Sequence, residues 1–80
     1  MNLLHIFATN LKKIRLSKNI SQEKLAELAD LHRTYISALE REQRNISINN
    51  IQKIALALEI DPSTLFIQSQ KAYEEEEYHE

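Results

Sequence analysis

The chain of 80 residues has no glycine, no cysteine and no tryptophan, and a single proline. Each absence removes a class of structure. Tight hairpins lean on glycine at positive φ, so the composition argues against a β-rich fold. Without cysteine there is neither a disulfide framework nor a cysteine-based metal site, which suits a reducing cytoplasm. No glycine loop exists to hold a nucleotide phosphate. The three histidines, His5, His32 and His79, are scattered through the chain. No metal, no cofactor and no catalytic activity is expected from these residues. No apolar run approaches the roughly 20 residues needed to cross a bilayer, so no membrane association is expected. The opening "MNLLHIFATNLKK" lacks a basic stretch ahead of its apolar residues and a small-residue cleavage site, so it does not read as a secretory signal.

What is present is a short chain rich in Leu, Ala, Lys, Glu, Gln and Ile, the residues of an all-α protein. A chain of this length makes one small domain of marginal stability, for which dimerisation is a common remedy. The net charge of −2 hides an asymmetry. Residues 1–70 carry nine Lys/Arg against seven Asp/Glu, a net of +2, and form the expected domain. Residues 71–80 carry one Lys against five Glu, a net of −4, and end in the acidic tail "YEEEEYHE". A basic body with an acidic end hints at a nucleic-acid partner, with the tail solvated or competing with DNA for the basic face.

Helix starts recur with one grammar. A hydrophobic staple pairs an apolar residue before the N-cap with another at the fourth helical position. That spacing occurs four times: Ile20–Ser21 with Leu25, Leu31–His32 with Ile36, Ile46–Ser47 with Ile51, and Ile60–Asp61 with Leu65. Ser21, Ser47 and Asp61 are good caps because each offers an oxygen to an orphan backbone N–H; His32 is a poor one. Pro62 falls at the favoured first helical position. The predicted helices run over 3–17, 22–29, 33–42, 48–58 and 62–68. Their inward stripes are Ile6, Phe7, Leu11 and Ile14; Leu25, Ala26, Leu28 and Ala29; Ile36 and Leu39; and Ile51, Ile54, Ala55 and Leu58. Asp30 stands where the elbow between the second and third helices needs a residue tolerant of left-handed geometry.

Two short helices across a turn of three or four residues describe a helix-turn-helix, whose second helix enters the DNA major groove. Arg33, Thr34 and Ser37 face outward at the start of that helix. Arginine can pair with guanine O6 and N7, and threonine can meet either class of base. Tyr35 adds a hydroxyl for a phosphate and a ring for sugar or base, or packs partly into the core. Expected phosphate contacts are Gln22, where the brace helix begins, and Arg41, Arg44, Asn45 and Asn49 beyond the recognition helix. Arg15 beside Ile14 and Glu40 beside Leu39 suggest a structural ion pair between the first and third helices. Leu56, Ile60, Phe66 and Ile67 exceed what one small core needs, which makes them candidates for a homodimer interface. Ile60 and Phe66 would serve equally well to complete the core.

The segments "SQEKLAELADLHRTYISALERE" and "ISINNIQKIALALEIDPSTLF" resemble the Xre/lambda-repressor-like five-helix DNA-binding domain, over about residues 8–67. Within that family "RTYISALEREQRN" is most similar to the controller proteins of restriction–modification systems. This resemblance implies small cytoplasmic dimers that bind palindromic double-stranded DNA operators near their own promoter, where RNA polymerase is a further candidate partner. Two features depart from the pattern: His32 replaces an acidic or small residue, and the acidic end is an addition. The alternative is an antitoxin-type module that masks a partner protein and binds DNA secondarily.

Overall fold

A computed structural model describes residues 1–68; the acidic tail at 71–80, with His79, lies outside the described residues. Four α-helices follow one another: α1 (Leu3–Ser17), α2 (Gln22–Ala29), α3 (Arg33–Glu40) and α4 (Ile48–Leu58). A 3₁₀ turn, Pro62–Phe66, closes the order, and no strand occurs among the described residues. The fold is all-α with a central helix-turn-helix, α2–turn–α3.

The starts of α1, α2, α4 and the 3₁₀ turn are each fixed by a side-chain cap. Ser21 Oγ accepts from the Lys24 N–H at 2.9 Å, Ser47 Oγ from Asn50 N–H at 3.1 Å, and Asp61 Oδ1 from Ser63 N–H at 2.9 Å. Asn2 caps α1 by accepting from His5 N–H at 3.0 Å. His32 makes no capping hydrogen bond, so α3 begins without side-chain help.

The helix ends are equally regular. Asn19, Asp30, Glu42 and Glu59 all adopt left-handed backbone, with φ between 57° and 63°. After each, the next N–H reaches back five residues: Ile20 to the Arg15 carbonyl, Leu31 to Ala26, Gln43 to Ala38 and Ile60 to Ala55. These are Schellman closures, which usually employ glycine at the left-handed position. In this glycine-free chain Asn, Asp and twice Glu stand there instead. Ile20, Leu31 and Ile60 therefore serve twice. Each ends one helix as the residue after the left-handed position and begins the next element as the staple before its cap.

One core gathers every element: Phe7 and Leu11 of α1, Leu25 of α2, Ile36 and Leu39 of α3, Ile54 and Leu58 of α4, and Leu65 of the 3₁₀ turn. Ile20, Leu31, Ile46 and Ile60, the staple residues, pack against its rim. Within the core α2 lies against α3 and α4, while α1 lies against α3 and the 3₁₀ turn.

Four expectations are corrected. The fifth helix, expected over 62–68 and counted among five, is a 3₁₀ turn that stops at Phe66. The carbonyls of Leu65 and Ile67 are taken by Asn10 Nδ2 at 3.0 and 2.8 Å, and Ile67 is already extended. α3 ends at Glu40 rather than Glu42, because Glu42 turns left-handed to close the helix. On α1 the inward stripe is Phe7, Ala8, Leu11 and Arg15, with Ile6 and Ile14 only half-buried at its edges. On α2, Leu28 is 49% exposed, since Leu25, Ala26 and Ala29 already fill the face turned to α3 and α4.

Candidate nucleic-acid interface

The start of α3 follows a turn of only three residues, Asp30 to His32. That turn is held by the Leu31 N–H on the Ala26 carbonyl at 2.9 Å and by Leu31 against the core. Arg33 and Thr34 are thereby placed on a firm base and are fully outward. Both are exposed, and neither side chain has a hydrogen-bond partner among the described residues. An arginine on the first turn of a helix opposes the positive end of the helix dipole. Among the described residues its guanidinium has no acceptor, and it is exposed toward one outside the domain.

Tyr35 differs. Its ring packs against the core margin, and its hydroxyl donates to the Asn45 carbonyl at 3.3 Å while accepting from Asn50 Nδ2 at 3.1 Å. The Arg44 guanidinium carbon stands 5.1 Å from the ring centroid, a cation–π distance. Tyr35, Arg44 and Asn45 are thus joined in one cluster that spans α3, the α3–α4 loop and α4. Ser37 and Arg41 are joined in a second cluster: Arg41 Nη1 donates to Ser37 Oγ, and Arg41 Nε donates to Gln43 Oε1 at 3.2 Å.

Behind α3 lies the ion pair. Arg15 Nε donates to Glu40 Oε2 at 2.7 Å and Nη2 to Oε1 at 3.1 Å, with the side chains 8% and 3% exposed. Arg15 Nη1 donates to the Ile20 carbonyl at 2.8 Å, tying the pair to the α1–α2 turn. Gln22 Nε2 also donates to Glu40 Oε1, at 2.9 Å. The half-buried Gln22 amide is therefore oriented by Glu40, one N–H inward and the other left over. Every buried side-chain nitrogen and oxygen among the described residues has a partner, so this charge enters the interior fully satisfied.

The four residues weighed for an interface separate into two pairs. Phe66 tilts against Phe7 with ring centroids 5.6 Å apart, and Ile60 packs on the core. Leu56 and Ile67 stay 70% and 56% exposed. Leu56 lines an open groove with Asn49, Gln52 and Lys53 on the outer side of α4.

Three features escape sequence reasoning. Asn50, the neighbour of the expected Asn49, takes part in the α3–α4 cluster. Asn10 fixes the chain after the 3₁₀ turn. His5 Nδ1 meets Glu42 Oε2 at 2.7 Å, linking the start of α1 to the end of α3 near the surface. All three join residues far apart in sequence, and no local spacing signals them. Ile48, next to the Ser47 cap, is 81% exposed and stands apart from the four interface candidates. Among the described residues no three His, Asp or Glu side chains gather as a metal cluster.

Known proteins share this arrangement. The helix-turn-helix family model HTH_3 matches residues 11–65. The chain is 54% identical over 65 residues to the control protein C.BamHI of Bacillus amyloliquefaciens, covering 80% of each chain. It superimposes on the restriction–modification controller protein C.AhdI from Aeromonas hydrophila with a TM-score of 0.77 and 48% identity, covering 79% of this chain and 96% of that one. The controller protein C.Esp1396I, solved as a tetramer with its natural 35 base-pair operator, gives a TM-score of 0.76 at 41% identity, covering 82% of this chain and 87% of that one. With its short elbow, its outward Arg33 and Thr34 and these relatives, the chain belongs to the helix-turn-helix family and, within it, to the control proteins of restriction–modification systems.

Proposed function

We propose that the chain is a sequence-specific DNA-binding transcriptional regulator, a restriction–modification controller that acts as a homodimer on a palindromic operator near its own promoter. The observation that carries this is α3: a helix set rigidly by a three-residue turn, with Arg33 and Thr34 exposed and unengaged at its start. Arg33 and Thr34 read base edges, Ser37 lies farther along the same helix, and Tyr35 contributes its ring. Gln22, Arg41, Arg44, Asn45 and Asn49 meet phosphates, which position the protein without reading sequence. The operator-bound C.Esp1396I, at 41% identity, supports the same use of this fold.

The protein acts by binding, without a reaction of its own. Its place is the cytoplasm, where a regulator seated beside a promoter meets RNA polymerase. No helix among the described residues is long and apolar enough to cross a membrane. One recognition helix reads only a few base pairs, so specific control needs two. Leu56 and Ile67, two of the exposed apolar side chains, supply a symmetric contact in which each patch meets its own copy.

Selection of bound duplexes from a random pool tests the proposal. The expected result is a palindrome whose half-sites are centred about 10 base pairs apart, one DNA turn. A pool that shows no enrichment overturns it. Leu56→Glu or Ile67→Glu gives a folded monomer with weaker operator binding. Sedimentation of the wild type as a monomer at tens of micromolar, with full-affinity binding to a single half-site, removes the dimer.

A further inference from the structure

The α3–α4 loop carries Arg44 outward, yet the guanidinium does not hang free. It rests over the Tyr35 ring at 5.1 Å. The ring is in turn held at its far end. A tyrosine hydroxyl has one proton to give, and that proton goes to the Asn45 carbonyl at 3.3 Å. The hydroxyl oxygen accepts from Asn50 Nδ2 at 3.1 Å, and Asn50 sits half-buried on the first turn of α4. Phosphate oxygens only accept. In this arrangement the Tyr35 hydroxyl has no proton left for a phosphate, whereas no group among the described residues takes a hydrogen bond from the Arg44 guanidinium.

We infer that Asn50 is a positioning residue for DNA binding: through the Tyr35 hydroxyl it fixes the ring and the Asn45 carbonyl, and so presents Arg44 to a backbone phosphate. Tyr35 is the post and Arg44 the contact. The inference rests on the DNA-binding reading above. Its physical basis is ordering. A long, flexible arginine on a loop loses rotamer freedom when it binds, and a guanidinium already seated on a fixed ring loses less. Asn50 reaches the hydroxyl from α4, the helix that follows the loop, so the loop is pinned from both of its ends. Asn50 carries no charge, and its effect on DNA passes through a charge elsewhere.

A double-mutant cycle reads this coupling directly. The full chain and the variants Arg44→Ala, Asn50→Ala and Arg44→Ala/Asn50→Ala are titrated with a mixed-sequence duplex about three helical turns long. Thermal melts confirm that each variant is folded, and alanine suits a helix at position 50 better than asparagine does. Arg44→Ala weakens binding about 10-fold and lowers the slope of log K against log salt by about 0.9, the signature of one lost phosphate contact. Asn50→Ala weakens binding about 3–10-fold in the wild type but less than about 2-fold in the Arg44→Ala background, because positioning is worthless once the positioned group is gone. Tyr35→Phe keeps the ring, removes the hydroxyl and reproduces the Asn50→Ala loss. Independent losses in the double variant, or no loss from Asn50→Ala alone, overturn the inference while leaving DNA binding intact. A wild type that shows no salt-dependent binding to the duplex overturns the DNA-binding reading and the inference together.

Discussion

Three of the connections in this chain are short and alike, and one is not. Between α1 and α2, between α2 and α3, and between α4 and the 3₁₀ turn, a left-handed residue, an apolar residue and a cap follow one another directly: Asn19–Ile20–Ser21, Asp30–Leu31–His32 and Glu59–Ile60–Asp61. One apolar side chain closes one element and opens the next. Between α3 and α4 the same parts recur, but Gln43, Arg44 and Asn45 separate the left-handed Glu42 from the apolar Ile46 and the Ser47 cap. Closing and opening are divided between two places, and the residues between them are exposed. The short turns set helix directions, and with them the outward Arg33 and Thr34; the long one carries exposed side chains of its own. It is also the loop whose arginine rests on the Tyr35 ring. A short connection thus fixes where the start of α3 points, and the long one gives its own side chains room to stand outward.

The comparison breaks most severely on the short-turn side. Arg15 holds the Ile20 carbonyl of the α1–α2 turn and is itself held by Glu40. Glu40→Gln leaves a buried guanidinium without its counter-charge, and thermal or denaturant unfolding is expected to show a loss of about 3–5 kcal/mol. If Glu40→Gln melts like the wild type and loses only DNA binding, the pair is not the fold's anchor.

The next effect separates the two kinds of arginine that flank α3. Arg33 follows a short turn and is placed by it. Arg33→Ala is expected to cost about 1–3 kcal/mol on the selected site and to relax preference at one base pair, with unchanged melting. Arg41, where α3 gives way to the loop, is expected to behave otherwise: Arg41→Ala weakens all duplexes alike and lowers the salt slope by about 0.9. An Arg33→Ala variant that binds every sequence as the wild type does would displace α3 as the recognition helix.

Left-handed geometry is common to both kinds of connection, so it should respond equally in both. Glu59→Gly in a short turn and Glu42→Gly in the loop each remove the Cβ penalty of that conformation and are expected to stabilise the fold by roughly 1 kcal/mol. For Glu42 the gain is reduced by the loss of its contact with the exposed His5, worth under about 1 kcal/mol. A loss of stability at position 59 would show that the Glu59 side chain contributes more than its backbone costs.

The smallest effect lies at the last short connection. The hydrogen bonds from the Ser63 backbone and side chain hold the Asp61 carboxyl below its usual value. A lowered folded pKa means that the ionised cap favours the folded state above the usual Asp range. That contribution disappears as pH falls through the lowered value. Melting of wild type and Asp61→Asn is therefore expected to differ slightly at neutral pH and to converge in strong acid. A difference that persists there would assign the effect to geometry instead of charge.

Much of this molecule is written in short stretches of sequence. Caps, staples and the left-handed Asp30 act within one helical turn, so Ser21, Ser47, Asp61 and the apolar residues around them announce the helix starts without any knowledge of packing. The all-α class, the three-residue elbow and the outward Arg33 and Thr34 follow from those local rules. The third dimension decided the rest. Arg15 and Glu40 are adjacent to inward residues in the sequence, but only packing added Ile20 and Gln22 to their network. Nothing around Asn50 or Tyr35 indicates that they meet across 15 residues, nor around Asn10 that it holds Leu65 and Ile67. The same packing drew Ile60 and Phe66 to the core and left Leu56 and Ile67 outside. Local spacing fixes what a residue offers to its own helix. Which distant partner accepts it depends on how α1, α4 and the 3₁₀ turn close around a single small core.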